Sequence, residues 1–218
     1  MNLTLPLEQA RPCFAGTVAG FLRAVDDVGE YDLLAASRCP GWSRLDVVVH
    51  VLHGWQEMLG GLVSQVDAEP TQDAASFWPA FASAYDEDPV PTLMAQRRRT
   101  AAYARPASAL EQLHDVAAAL LRGVAGCPDR PVTWIGQVFT AGDFLAVWAV
   151  ENVVHHLDLD VEVPPTESGL LLTRATVEAL ARGPVPASWS DVDTVLHGTG
   201  RSTDPPAEAA ALGLPVLG

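Results

Sequence analysis

Lysine is missing from the chain: all 13 basic residues are arginine. That excludes Schiff-base chemistry on a lysine amine and a P-loop, whose lysine has no replacement here. Positive charge is scarce altogether, with 27 acidic side chains and a formal net charge of −14. Such a surface lacks the basic footprint that nucleic acid or an anionic membrane requires, so neither is an expected partner. Cysteine is limited to Cys13, Cys39 and Cys127, an odd number spread far apart, which is no disulfide framework. No basic n-region precedes an apolar run, and no apolar run reaches the ~18 residues of a membrane span, so a cytoplasmic protein is expected. Period-two alternation, hairpin signals and internal repeats are lacking too. What remains is helix.

Apolar residues make up 49% of the chain and charged ones 18%, the balance of a folded protein with one good core. Phe14, Val18, Phe21, Leu22 and Val25 form a helical stripe over residues 8–28. Ser43-x-x-Asp46 reads as a capping box opening a second helix, with Leu45, Val48, Leu52, Trp55, Leu59 and Leu62 inward. Residues 66–105 are acidic and proline-broken, and Phe77, Phe81 and Tyr85 suggest one short helix there. Ser108-x-x-Glu111 is expected to open a third long helix that ends at Gly126-Cys-Pro128, and Thr140-x-x-Asp143 a fourth. One helix follows Pro164-Pro165, and Ser190-x-x-Asp193 starts a short last one. The fold class expected is all-α, an up-down-up-down four-helix bundle with a short helical C-terminal extension.

The stretch that organises the rest is Ala146-Val-Trp-Ala-Val-Glu-Asn-Val-Val-His-His-Leu-Asp-Leu-Asp160. On a helix, Glu151 and His155 share one face with Phe144, Val147, Trp148 and Val154. A carboxylate buried alone costs several kcal/mol, on the order of a domain's whole stability. Its compensation is a metal ion, an arginine or a neighbouring histidine. His50 lies with Asp46, His53 and Glu57 on the polar stripe of the second helix, which reads as a solvated face. His53 reads as a solvated or outer-layer histidine, His156 as surface, Cys39 as structural, and Arg97-Arg98-Arg99 as a solvated run; His114 and His197 show no constellation.

Two segments carry a resemblance. Cys39-Pro-Gly-Trp-Ser-Arg-Leu-Asp-Val-Val-Val-His50 and Glu151-Asn-Val-Val-His155-His-Leu-Asp-Leu resemble the signature segments of the mycothiol-dependent maleylpyruvate isomerase family, of the DinB-like superfamily. Gly183 to Arg201 is similar to the tail of actinobacterial relatives. The resemblance implies a DinB-like metal-binding bundle over residues 1–163 and a small helical extension over 164–218. It implies His50, Glu151 and His155 as ligands of a divalent metal, zinc first. Two imidazoles and one carboxylate leave coordination positions open, as catalytic zinc sites do. Mycothiol or another low-molecular-weight thiol is the implied co-substrate, and a small electrophile the implied substrate of a transferase or isomerase. Asp158 is placed to orient an imidazole from the outer layer. Arg201 stands in for an arginine that holds substrate in a larger C-terminal domain of relatives, and Trp148 occupies a position where relatives carry arginine. The alternatives are a non-catalytic metal- or small-ligand-binding stress-response module and a metal-dependent hydrolase; a homodimer is a further expectation.

Overall fold

The structure, a computed structural model, describes residues 2–83 and 88–217, so Tyr85 lies outside the described residues. Helix α1 (Leu7–Asp26) buries Phe14, Val18, Phe21 and Val25 as its stripe predicts. Helix α2 (Arg44–Val63) starts on the predicted capping box. Ser43 Oγ accepts from the Asp46 N–H, and Asp46 Oδ2 accepts from the Ser43 N–H at 2.8 Å. Between α2 and the next long helix lie α3 (Phe77–Ala82) and α4 (Val90–Thr100). Helix α5 (Pro106–Gly126) begins ahead of the expected Ser108 cap, because Pro106 at the first helical position already has the helical φ and needs no N–H partner. Helix α6 (Ala141–Asp158) is capped by Thr140, whose Oγ1 accepts from the Asp143 N–H at 3.0 Å. Three shorter helices follow: α7 (Glu167–Leu180), α8 (Asp191–Gly198) and α9 (Ala207–Ala211).

The all-α class holds apart from one antiparallel hairpin, β1 (Val132–Trp134) and β2 (Gln137–Phe139). Its turn residues Ile135 and Gly136 have φ of 45° and 78°. A two-residue turn with both φ positive is the hairpin type that favours Asn-Gly, and Ile-Gly does not advertise it. With three residues per strand, no alternation had room to show.

The helix directions differ from the up-down-up-down order. Arg44 Nε donates to the Leu159 carbonyl at 2.6 Å, Trp55 Nε1 to Asn152, and Gly61 lies against Phe144. Residue numbers rise on α2 as they fall on α6, so the two are antiparallel. Leu5 N donates to Asp143 Oδ1 while Asn152 reaches Thr17, which makes α1 and α6 parallel. Arg11 Nε bonds the Val124 carbonyl and Asp26 pairs with His114, so α5 opposes α1 and runs with α2. The order is up-down-down-up. The long connection through α3 and α4 carries the chain back along the bundle, which a tight turn after α2 would not have allowed.

Helix α6 is buried on nearly every side, with α1, α2 and α7 against it. Its N-terminus closes on the segment before α1 so tightly that a Cβ on Gly142 would fall on the Leu5 carbonyl oxygen and within 2.9 Å of Leu7 N. Both neighbours are backbone and cannot turn aside. Gly142→Ala should therefore lower the thermal midpoint by roughly 5–10 °C, about 2–3 kcal/mol. Gly60→Ala, at an exposed position of α2 where a Cβ meets nothing within 4 Å, should leave it unchanged or raise it slightly in the same melt. Among the described residues no helix is long and apolar enough to cross a membrane.

Candidate metal centre

Because α2 and α6 are antiparallel, His50 near the start of one lies level with His155 near the end of the other. The two imidazoles meet edge to face with centroids 4.6 Å apart, and Trp42, on the turn before α2, packs on His50 at 5.1 Å. Glu151 joins them: its Oε2 lies 3.0 Å from His155 Nε2. One donor atom from each of His50, Glu151 and His155 lies within 4.8 Å of the other two. They line a cavity of about 20 Å³ with Gly54, Trp55 and Trp148, room for a water or an ion but not for an organic substrate. The Glu151 side chain keeps 25% of its exposure, so the cluster meets solvent on one side.

Gly54 makes this possible, since a Cβ there would come 2.8 Å from Cζ3 of Trp148. Trp148 in turn stacks on Trp134 of the hairpin with centroids 4.9 Å apart and walls one side of the cavity. Behind the cluster, Trp55 Nε1 donates to Asn152 Oδ1 at 2.8 Å, and Asn152 Nδ2 donates to Thr17 Oγ1 at 3.0 Å. That buried chain joins α2, α6 and α1 directly beside Glu151.

Charge is organised around His155. Its Nδ1 lies 3.0 Å from Asp158 Oδ2, so the ring is held between two carboxylates. Burial opposes a charge on His155, but bonds to Asp158, Cys39 and Glu151 outweigh it and raise its pKa well above the ordinary imidazole value. Burial also opposes ionisation of Asp158, yet His155 and Arg201 bring that carboxyl down to about 2. Glu151 is likewise held low by His155 against the cost of burial. His50 goes the other way, lowered to about 3 by burial first and by the neighbouring His155 next. At neutral pH His50 therefore presents a free lone pair.

The structure thus brings together His50, Glu151, His155 and Asp158, and it brings Arg201 to Asp158, with Nε 3.1 Å from Oδ1. His53 stays outside. Its Nε2 pairs with Glu57 at 3.2 Å, and its side chain is 40% exposed, on the same stripe as His50 but nearly a turn further along α2. His156, expected on the surface, is buried with Nε2 2.7 Å from the Val163 carbonyl. Cys39, read as merely structural, places Sγ 3.1 Å from Asp158 Oδ2. Trp42 was not singled out either. Both belong to the Cys39-Pro-Gly-Trp turn, where Gly41 at φ 81° bends the chain back over the cluster, and that turn was the available signal.

Residues 14–160 match the family model described as the mycothiol maleylpyruvate isomerase N-terminal domain. Among solved structures, the mycothiol-dependent maleylpyruvate isomerase is similar at 16% identity with a TM-score of 0.63. A histidine-to-alanine mutant of it is similar at 15% and 0.62. In each, the likeness takes in 92% of this chain and 91% of the solved one, so the relative is not the larger protein expected. No curated protein matches the chain.

Proposed function

Since the chain belongs to the mycothiol maleylpyruvate isomerase N-terminal domain family, we propose that His50, Glu151 and His155 hold a divalent cation, zinc by ligand type. We propose further that a low-molecular-weight thiol, mycothiol, is the co-substrate of an isomerase or transferase acting on a small electrophile. The observation that carries this reading is the meeting of His50 with Glu151 and His155 across two antiparallel helices, with one side left open to solvent.

The donor set fits. Donor atoms on a tetrahedral zinc at 2.0–2.2 Å lie roughly 3.3–3.6 Å apart. Glu151 Oε2 and His155 Nε2 already meet at 3.0 Å, and with the third donor inside 4.8 Å the set closes by side-chain rotation alone. A cation bound there favours the thiolate form of a thiol at neutral pH. The chain's own groups do the rest. Asp158 fixes which nitrogen His155 presents, Trp42 and Trp148 wall the cluster with apolar surface, and the solvent-facing side of Glu151 leaves the approach for the thiol. The thiolate sulfur forms a C–S bond to one carbon of an activated double bond, and the π pair moves to the conjugated acceptor. In an isomerase the new single bond rotates, the pair returns and the sulfur is expelled. In a transferase the carbanion takes a proton and the S-conjugate leaves.

Metal removal provides the test. Chelator-stripped protein should lose thiol conjugation of a bimane-type electrophile in the presence of mycothiol, and about one equivalent of zinc should restore it. Equal turnover with and without zinc overturns the metal-dependent reading. Turnover without any thiol would assign a hydrolase, and full zinc occupancy with no turnover on several electrophiles a binding module.

A further inference from the structure

We infer that Arg201 is a positioning residue of the metal centre, which acts through Asp158 to fix the ring of His155 and so makes the segment after α6 part of the centre's support. The inference rests on the reading of His155 as a ligand.

Asp158 has no exposure at all, and its carboxylate is held from three directions. Oδ2 meets His155 Nδ1 at 3.0 Å and accepts from Cys39 Sγ at 3.1 Å. Arg201 Nε donates to Oδ1 at 3.1 Å and Nη2 reaches Oδ2 at 3.5 Å. A buried carboxylate needs a permanent counter-charge, and this one sits at the last residue of α6, where the helix dipole is itself unfavourable to an anion. Arg201 keeps its charge under all conditions and meets both oxygens of Asp158, so it fixes the plane and position from which Oδ2 faces His155 Nδ1.

Arg201 is also fixed independently of Asp158. Its Nη1 donates to the Thr199 carbonyl at 2.7 Å, and its own N–H donates to the Leu196 carbonyl of α8 at 2.9 Å. Gly200 takes φ 69° to make that reversal. The N–H groups of Val216 and Leu217 both close on the Gly198 carbonyl, at 2.8 and 2.9 Å. Residues 216–217 thus brace the end of α8 beside Arg201, and all three guanidinium nitrogens are engaged. This differs from the substrate-holding role expected for Arg201.

Zinc affinity measured by chelator competition on the full chain tests the inference. Arg201→Gln should weaken zinc by about 10–100-fold, the usual cost of losing an outer partner of a ligating histidine, and Arg201→Lys by less. Asp158→Asn should weaken it to a similar extent, and the Arg201→Gln/Asp158→Asn double variant should bind no worse than Asp158→Asn alone. Arg174→Gln is the control, since Arg174 bonds the Trp189 carbonyl and Asp191 in the same segment without reaching Asp158. Its zinc affinity should match the parent's. A second readout needs no metal: the Nδ1 proton of His155, followed by NMR of histidine-labelled protein, should be protected in the parent and in Arg174→Gln and lost in Arg201→Gln. Unchanged zinc affinity together with an unchanged His155 proton in Arg201→Gln overturns the positioning role, as does an equal loss in Arg174→Gln. A parent protein that takes no zinc but shows the predicted proton behaviour overturns the metal reading and leaves Arg201 as the support of His155.

Discussion

Replacing His50 with alanine should weaken divalent-metal binding by at least about 100-fold, the upper end of what an outer partner costs, and abolish thiol-dependent turnover. The reason lies in how the remaining pair would behave. Glu151 and His155 are one turn apart on α6 and already 3.0 Å from each other, so without the α2 imidazole they close on themselves as an ion pair. Two ligands from one helix also leave a zinc site incomplete. His50 contributes the only donor of the set on α2, and its pKa of about 3 means that no proton competes for it near neutrality. The fold should tolerate the change, because His50 is only partly buried and its ring meets Trp42 and His155, and the melting midpoint of metal-free protein should stay within about 3 °C of the parent, the effect of less than ~1 kcal/mol. His53→Ala serves as the comparison, since His53 pairs with Glu57 away from the cluster and should retain metal and turnover. Metal content of the purified variants, counted per chain, decides it: His50→Ala protein with parental zinc would remove His50 from the ligand set.

Trp55→Ala should cost about 3–5 kcal/mol, the range for a fully buried large aromatic. At 2–4 °C per kcal/mol for a chain of this size, the midpoint should fall by roughly 10–15 °C. Trp55 has no exposure, packs edge to face on Phe21 with centroids 5.9 Å apart, and donates to Asn152 at the centre of the bundle. Removing it opens a cavity and leaves Asn152 Oδ1 buried without its donor. Trp55→Phe separates the two effects: most of the volume stays, the donor goes, and the cost should be about 1–3 kcal/mol. Denaturant unfolding of the two variants gives the comparison directly. A Trp55→Phe loss equal to that of Trp55→Ala would mean that the hydrogen bond to Asn152, not the packing, fastens α2 to α6.

Local signals in this chain were readable and relative directions were not. Ser43 with Asp46 and Thr140 with Asp143 marked two helix starts, because a side chain that satisfies a free N–H three residues on leaves its spacing in the sequence. The stripe of α1 was legible for the same kind of reason, one face being buried and the other wet. Helix α6 is buried on nearly every side, so Glu151 and His155 stood out among apolar neighbours while His156 passed for a surface residue. Whether α5 runs with α2 or against it depends on where residues 64–105 carry the chain, and no short-range pattern encodes that. The periodicity of α2 placed His50 on the polar side; only the likeness to a family suggested a ligand there, and in the fold that face of α2 is turned to the end of α6. Arg201 could not be placed on Asp158 because the reversal at Gly200 and the closure of residues 216–217 on Gly198 are tertiary events.

The crossover between α2 and α5 has a consequence for how the protein is made. A ribosome delivers His50 early, but its counterparts emerge only after the whole connection and two further helices have been synthesised, and Arg201 comes later still. On the proposed ligand set, nascent chains and fragments that stop short of α6 hold His50 without Glu151 and His155, and metal loading would follow the synthesis of α6.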